Sequence, residues 1–148
     1  MTRESRKIAV IGAGNVGATC AFVMAERKLG EIVLLDIYEG FAKGKALDMS
    51  QNGQVLNYDG SITGTSDYND IAGASVVVVT SGFPRQPGMT REDLIAKNAG
   101  IVKQVGEGIR DHAPDSTIVM VTNPLDLMTY HMQKVTGFPS NRVCGQAG

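Results

Sequence analysis

A glycine-rich hexapeptide near the amino terminus has the residue types and spacing of a phosphate-binding loop. Gly12-Ala13-Gly14-Asn15-Val16-Gly17 matches the pattern G-x-G-x-x-G and directly follows the β-branched run Ile8–Ile11. In such a loop the first glycine permits a tight turn, the second lets the backbone approach a pyrophosphate, and the third allows close packing of helix on sheet. The N–H groups that open the helix favour an anion. All six residues are therefore predicted to contact a dinucleotide.

An acid at the end of the next apolar run adds to this prediction. Asp36 follows Gly17 by nineteen residues and closes the segment EIVLLD. A carboxylate there can accept hydrogen bonds from the adenosine ribose hydroxyls and would repel the extra phosphate of NADP. We therefore expect NAD as the cofactor. The alternative is that the glycines only tighten a junction between helix and sheet, with Asp36 as a solvated residue at a strand end.

Two arginines six residues apart could bind an anionic substrate. Arg85 and Arg91 belong to the segment TSGFPRQPGMTREDL, whose part Ser81–Thr90 is rich in glycine and proline. A lid with hinges at Gly82 and Gly88 could close over a substrate, exclude water and bind carboxylates through two hydrogen bonds each. The alternative is a surface loop with two solvated arginines.

These residues must be positioned by alternating strands and helices. The apolar runs predict strands at Ile8–Ile11, Glu31–Asp36, Ile62–Thr65, Ser75–Thr80, Thr117–Thr122 and Arg142–Cys144, and helices at Val16–Lys28, Phe41–Leu56, Arg91–His112 and Leu125–Thr136. This alternation favours an α/β fold with a doubly wound parallel sheet of six strands, a Rossmann fold, in the order 3-2-1-4-5-6. No linker or repeat divides the chain, so we expect residues 1–148 to form one dinucleotide-binding domain.

Composition excludes several classes of partner. Of the 148 residues, 43% are hydrophobic and 20% are charged, which is ordinary for a globular domain. Fourteen Lys and Arg against fifteen Asp and Glu leave a net charge of −1, so no basic field would recruit nucleic acid or a membrane surface. We expect no metal and a small-molecule partner.

Several segments in order give the chain a resemblance to a known family. GAGNVG, LLDI, KGKALDM, TSGFPRQPGMTREDL, KNAGI, VTNPLD and RVCGQAG resemble the amino-terminal, NAD-binding half of malate dehydrogenases of the lactate-dehydrogenase-like type. The resemblance covers residues 6–148, and the lid and TNPLD are far more specific than the glycine pattern. It implies reversible hydride transfer between NAD and malate or oxaloacetate. Lactate or another 2-hydroxyacid, and a non-catalytic module that senses NAD, stay open as alternatives.

The resemblance also implies roles for individual residues. Arg85 would bind the distal carboxylate of the substrate, where lactate enzymes carry Gln, and Arg91 would act in catalysis by polarising the keto oxygen. Asn123 would bind substrate and cofactor. Asn98 and the backbone at Val121 and Thr122 would contact the cofactor. Either asparagine could instead be a cap or a surface polar group.

The resemblance predicts a catalytic histidine that this sequence does not supply. The two histidines, His112 and His131, do not match the position of the family's proton donor, which follows the matched segments together with an Asp and an Arg. We therefore expect the second, substrate domain to be absent from this chain, which would bind NADH without turning over malate.

The remaining expectations concern the chain's surroundings. Cys20 and Cys144 lie in apolar runs, and we expect them to be buried, reduced thiols; the alternative is a disulfide between them. Met1–Lys7 is too polar for a signal peptide, so we expect a cytoplasmic location. By resemblance, the helix that contains KGKALDM would lie in a subunit interface of a homo-oligomer.

Overall fold

The computed structural model describes residues 6–146, which form one parallel sheet with helices on both faces. The sheet has six strands, β1 (Lys7–Ile11), β2 (Glu31–Leu35), β3 (Ile62–Thr65), β4 (Val76–Val79), β5 (Thr117–Met120) and β6 (Val143–Gly145). The helices are α1 (Asn15–Glu26), α2 (Glu39–Leu56), α3 (Arg91–His112) and α4 (Leu125–Thr136). The strand order β3-β2-β1-β4-β5-β6 confirms the predicted topology. The chain crosses over after β3, so the switch point lies between β1 and β4.

The two faces of the sheet carry separate hydrophobic cores. Ile8 and Val10 of β1 pack on the side of α1 and α2, whereas Ala9 and Ile11 pack on the side of α3 and α4. Successive side chains of a strand point to opposite faces, so a strand covered on both sides is apolar throughout. This explains the uninterrupted apolar runs in β1 and β2.

Element boundaries differ from the predictions by one or two residues. α1 ends at Glu26 rather than Lys28, because Lys28 adopts a left-handed conformation with φ of 51°. α2 begins at Glu39, two residues before the predicted Phe41. Two short 3-10 helices, Tyr68–Ile71 and Ser140–Arg142, are additional. One turn of 3-10 helix is too short to leave a periodic apolar pattern.

The prediction that both cysteines are buried is wrong. Cys20 on α1 is half-buried and Cys144 on β6 is exposed, and both thiols are free. β6 is the last strand of the sheet, and Val143 is its one buried residue. An apolar run at a sheet edge therefore does not imply burial of each member. Within residues 6–146, no helix combines the length and apolar character needed to span a bilayer.

Candidate functional site

The backbone conformation and the packing require glycine at some positions of the hexapeptide but not at others. Gly12 connects β1 to the turn with φ of 105°, a conformation that side chains rarely adopt. A Cβ on Gly17 would lie 1.8 Å from the Gly12 carbonyl oxygen, so only glycine fits there. At Gly14, by contrast, φ is −64° and a Cβ would have no atom from elsewhere in the described chain within 4 Å. The fold therefore requires Gly12 and Gly17 but does not itself require Gly14.

Thr80, at the end of β4, supports the glycine turn and was missed by the sequence analysis. Its hydroxyl lies 3.1 Å from the Gly12 carbonyl oxygen and 3.3 Å from that of Ile11, in position to donate to either. Its position, a polar residue directly after four valines at the switch point, could have indicated this role. The hydroxyl ties β4 to the loop between β1 and α1.

Asp36 lies against the glycine loop, as its position after β2 predicts. Its Oδ2 accepts a hydrogen bond of 2.8 Å from the Ala13 N–H, and its Oδ1 accepts one of 3.0 Å from the Tyr38 N–H. A carboxylate offers about four acceptor positions, so each oxygen keeps a lone pair for a further donor. The side chain is half-buried and accessible to such a donor.

The loop and its surroundings fit a dinucleotide. Among residues 6–146 no side chain caps α1, and its first turn carries no acidic residue, so the N–H groups of that turn are free to donate hydrogen bonds to an anion. Asn15 and Val16 are exposed beside the open space at Gly14. At the end of β4, the Ser81 hydroxyl is buried and has no hydrogen-bond partner among the described residues. These features leave N–H donors for a phosphate at the switch point, and Asp36 leaves acceptor positions for ribose hydroxyls.

Of the two arginines, Arg85 lies in the lid and Arg91 is the first residue of α3. Pro87 and Gly88 form a tight turn in which the Met89 N–H donates to the Gln86 carbonyl at 3.1 Å and Gly88 has φ of 83°. Arg85 and Arg91 are exposed, and within residues 6–146 neither guanidinium has an ion-pair or hydrogen-bond partner. Both charges are therefore available to an anion from outside the chain.

The lid is fixed at its carboxyl end by the start of α3. The Thr90 hydroxyl accepts from the Asp93 N–H, and the Asp93 carboxylate accepts from the Thr90 N–H, each at 3.1 Å. This capping box holds the pKa of Asp93 below its usual range, mainly through the hydrogen bond with the Thr90 side chain. The ionised Asp93 carboxylate therefore stabilises the folded state fully above the ordinary pKa of an aspartate, and this stabilisation is lost as the pH falls through the lowered pKa of Asp93.

The amino-terminal end of the lid packs on the loop after β5. A Cβ on Gly82 would lie 2.6 Å from the Thr122 methyl group, so Gly82 is a point of close packing rather than a free hinge. The buried Thr122 hydroxyl donates to the Ser81 carbonyl at 2.8 Å. Val121 donates its N–H to the Val79 carbonyl at 2.9 Å. The side chain of Thr122 and the N–H of Val121 thus join β5 to β4.

Two asparagines meet at this junction. Asn98, on α3, is only 2% exposed. Its Oδ1 accepts from the Phe83 N–H at 2.7 Å, and its Nδ2 donates to the Asn123 carbonyl at 2.7 Å. The residue Asn123 is exposed. The structure therefore brings Asn98, Asn123 and the start of the lid together, while within residues 6–146 neither Arg85 nor Arg91 has a hydrogen bond to them.

Both histidines bond to helix backbone rather than to the candidate site. His112 Nδ1 lies 3.0 Å from the Gly108 carbonyl oxygen, with its ring centroid 5.9 Å from that of Tyr68. His112 is half-buried rather than solvated as its terminal position suggests. His131 Nε2 lies 3.0 Å from the Ala99 carbonyl oxygen. The His112 ring therefore packs α3 against the 3-10 helix that contains Tyr68, and the His131 ring joins α4 to α3.

Comparison with known proteins identifies relatives along almost the whole chain. The family model described as "lactate/malate dehydrogenase, NAD binding domain" matches residues 6–145. A malate dehydrogenase from Staphylococcus carnosus is 54% identical over 144 residues, which are 96% of this chain and 46% of that protein. One from Sorangium cellulosum is 51% identical over 145 residues, 97% of this chain and 46% of that protein. The chain thus spans about half the length of these relatives.

Solved structures share the fold. The apo malate dehydrogenase from Picrophilus torridus superposes with a TM-score of 0.93 at 46% identity, covering 97% of this chain and 46% of that one. A Cryptosporidium parvum lactate dehydrogenase complexed with lactic acid and nicotinamide adenine dinucleotide gives 0.91 at 43% identity, covering 98% and 46%. These findings confirm the predicted Rossmann fold, the resemblance and the NAD cofactor. The chain belongs to the lactate/malate dehydrogenase family, and its described residues form an NAD-binding domain of that family.

Proposed function

We propose that this domain serves a dehydrogenase that interconverts malate and oxaloacetate. Family membership alone does not separate malate from lactate, because structures of both kinds of enzyme superpose on the chain. The observation that carries the proposal is the guanidinium of Arg85, which lies in the exposed lid and has no ion-pair or hydrogen-bond partner among the residues that the structure describes. A dicarboxylate would supply its counter-charge, whereas a monocarboxylate held by other groups would leave it unpaired.

The chain's own residues would bind the cofactor and stabilise charge during the reaction. Bound NADH supplies the hydride. The N–H groups in the first turn of α1 would hold the diphosphate, and Asp36 would accept hydrogen bonds from the ribose hydroxyls. With substrate held beneath the lid, Arg91, the first residue of α3, would lie at the keto oxygen, where a guanidinium stabilises the negative charge that develops as hydride arrives. Asn123 would orient the same substrate by a hydrogen bond.

The alkoxide also needs a proton. His112 and His131 are engaged with the carbonyl oxygens of Gly108 and Ala99, and neither pairs with a carboxylate of residues 6–146. We therefore propose that the donor comes from the part of the enzyme that corresponds to the other half of the relatives. A histidine is the side chain whose ordinary pKa best suits this step near neutral pH.

The test compares two substrates in the complete enzyme that contains this domain. We expect NADH-dependent reduction of oxaloacetate to exceed that of pyruvate in kcat/KM by about 100-fold or more, since an unpaired desolvated charge costs roughly 3–5 kcal/mol. Equal rates, or a preference for pyruvate, would contradict the proposal. Separately, calorimetric titration of this chain with NADH should give measurable heat below millimolar cofactor.

Asp36 is expected to set the preference for NAD over NADP. Asp36→Asn removes the charge with little change in shape, so NADPH binding should strengthen relative to NADH binding by about tenfold. Two like charges about 4 Å apart repel by at least ~1 kcal/mol. Binding constants for both cofactors, measured by quenching or enhancement of NADH and NADPH fluorescence, check this ratio.

A matched control separates the local charge from net charge. Asp59 is an exposed acid paired with Lys28 at 2.7 Å, and Asp59→Asn makes the same chemical change away from the glycine loop. This variant should leave the NADPH/NADH ratio unchanged. A ratio that is equally unchanged in Asp36→Asn would remove Asp36 from cofactor selection.

We also propose that the enzyme assembles as a homo-oligomer through α2. This helix buries Ala42, Ala46, Met49 and Gly53 against the sheet, while four large apolar side chains on it are exposed: Phe41, Leu47, Val55 and Leu56. Such a surface favours a protein interface over water. A cytoplasmic location is proposed as well, since two free thiols suit a reducing compartment.

A further inference from the structure

Asn98 has no free amide proton left for a ligand. Its Nδ2 donates to the Asn123 carbonyl at 2.7 Å and to the Phe83 carbonyl at 3.4 Å, and its Oδ1 accepts from the Phe83 N–H at 2.7 Å. A carboxamide has two donor protons, so both are used by backbone groups. With 2% of its surface exposed, the side chain is enclosed by the segments that it joins.

Those segments are the ones that carry the proposed substrate-binding residues. Phe83 lies two residues before Arg85, and the carbonyl of Asn123 itself is the partner of Asn98. The lid is therefore attached to α3 at both ends, at Phe83 through Asn98 and at Thr90 through the capping box with Asp93. The position of Arg85 relative to Asn123 consequently depends on α3.

We infer that Asn98 is a positioning residue that joins the start of the lid to the loop at Asn123, so that both present their side chains to one substrate. The inference rests on the proposed function, which assigns Arg85 and Asn123 to substrate. It differs from the direct cofactor contact that the family resemblance implies for Asn98. The two roles make different predictions for binary NADH binding.

Two variants separate the individual hydrogen bonds. Asn98→Asp keeps an oxygen that accepts from the Phe83 N–H but places a carboxylate against the carbonyls of Asn123 and Phe83. Asn98→Ala removes every bond. Gln104→Ala is the matched control, because Gln104 is exposed on the same helix and its side chain has no partner within residues 6–146.

The kinetic readout uses the complete enzyme that contains this domain. Both Asn98 variants should lose about 100-fold in kcat/KM for oxaloacetate, the size expected when reacting groups are misplaced by about 1 Å. The dissociation constant of NADH alone should stay within about threefold of the original value. NADH binding weakened about tenfold or more, in parallel with kcat/KM, would overturn the inference in favour of direct cofactor contact. Unaltered kinetic constants with a lower Tm would overturn it in favour of a purely structural role.

Hydrogen exchange of the Phe83 amide tests the link without any substrate. Exchange of the Phe83 amide should accelerate about tenfold or more in Asn98→Ala, because the oxygen that accepts its hydrogen bond is gone. It should stay slow in Asn98→Asp and Gln104→Ala. Unchanged exchange in Asn98→Ala would contradict the link to the lid. This readout does not depend on oxaloacetate, so failure of the proposed function would be distinguishable from failure of the inference.

Discussion

Arg85→Gln is expected to move the substrate preference of the complete enzyme from oxaloacetate towards pyruvate by a factor of hundreds to thousands. The guanidinium is exposed and has no partner in the described part of the chain, residues 6–146, so its charge is hydrated while the lid is open. Closure over a substrate would remove that water. A second carboxylate then replaces the water as partner, whereas pyruvate leaves the charge unpaired at a cost of about 3–5 kcal/mol. The neutral glutamine removes both the favourable pairing with the second carboxylate of oxaloacetate and the cost of an unpaired charge with pyruvate.

The measurement is kcat/KM for oxaloacetate and for pyruvate, with NADH saturating. Arg27→Gln is the matched control, since Arg27 is an exposed arginine at the opposite end of α1 from the glycine loop. It should leave both constants unchanged. A ratio of the two constants that is the same in Arg85→Gln as in the parent would exclude Arg85 from substrate selection, whatever happens to overall activity.

The order of the strands was predictable because the signals are local and strong. β4 consists of four valines, and the glycine pattern directly follows β1, so these apolar runs could be matched to central strands of the sheet. The right-handed crossover rule then limits the possible topologies. The exposure of Cys144 was missed although the predicted order already places β6 at the edge of the sheet, because an apolar run does not show which of its residues an edge strand leaves uncovered.

The candidate site was predictable in its residues but less so in its contacts. Gly12, Gly17 and Asp36 lie where their spacing requires. The role of Asn98 depends on bonds to Phe83, fifteen residues earlier, and to Asn123, twenty-five residues later, and no periodicity reveals such pairs. Gly82 was expected to be a hinge, but a Cβ added there would lie 2.6 Å from the methyl group of Thr122. Close approaches of this kind arise from the packing of the whole sheet.

The two glycines Gly14 and Gly17 are expected to respond in opposite ways to the same added methyl group. Gly17→Ala would place a Cβ 1.8 Å from the Gly12 carbonyl oxygen, a backbone atom that cannot move without disturbing the turn. Overpacking of this severity costs about 3 kcal/mol or more, which corresponds to a Tm lower by roughly 10 °C in a domain of this size. Gly14→Ala meets no atom from elsewhere in the described chain, so it should cost less than about 1 kcal/mol.

Among molecules that are folded, Gly14→Ala should weaken NADH binding more than Gly17→Ala does. If the open space at Gly14 accommodates the diphosphate, Ala there should weaken NADH binding by about 10-fold to 100-fold in a protein that is still folded. Thermal unfolding without cofactor and calorimetric titration with NADH, on the same two variants, give the two quantities. Full NADH affinity in Gly14→Ala would show that no ligand approaches this backbone. A Gly17→Ala variant as stable as the parent would contradict the packing argument, because the turn would then have room that the distance to Gly12 denies.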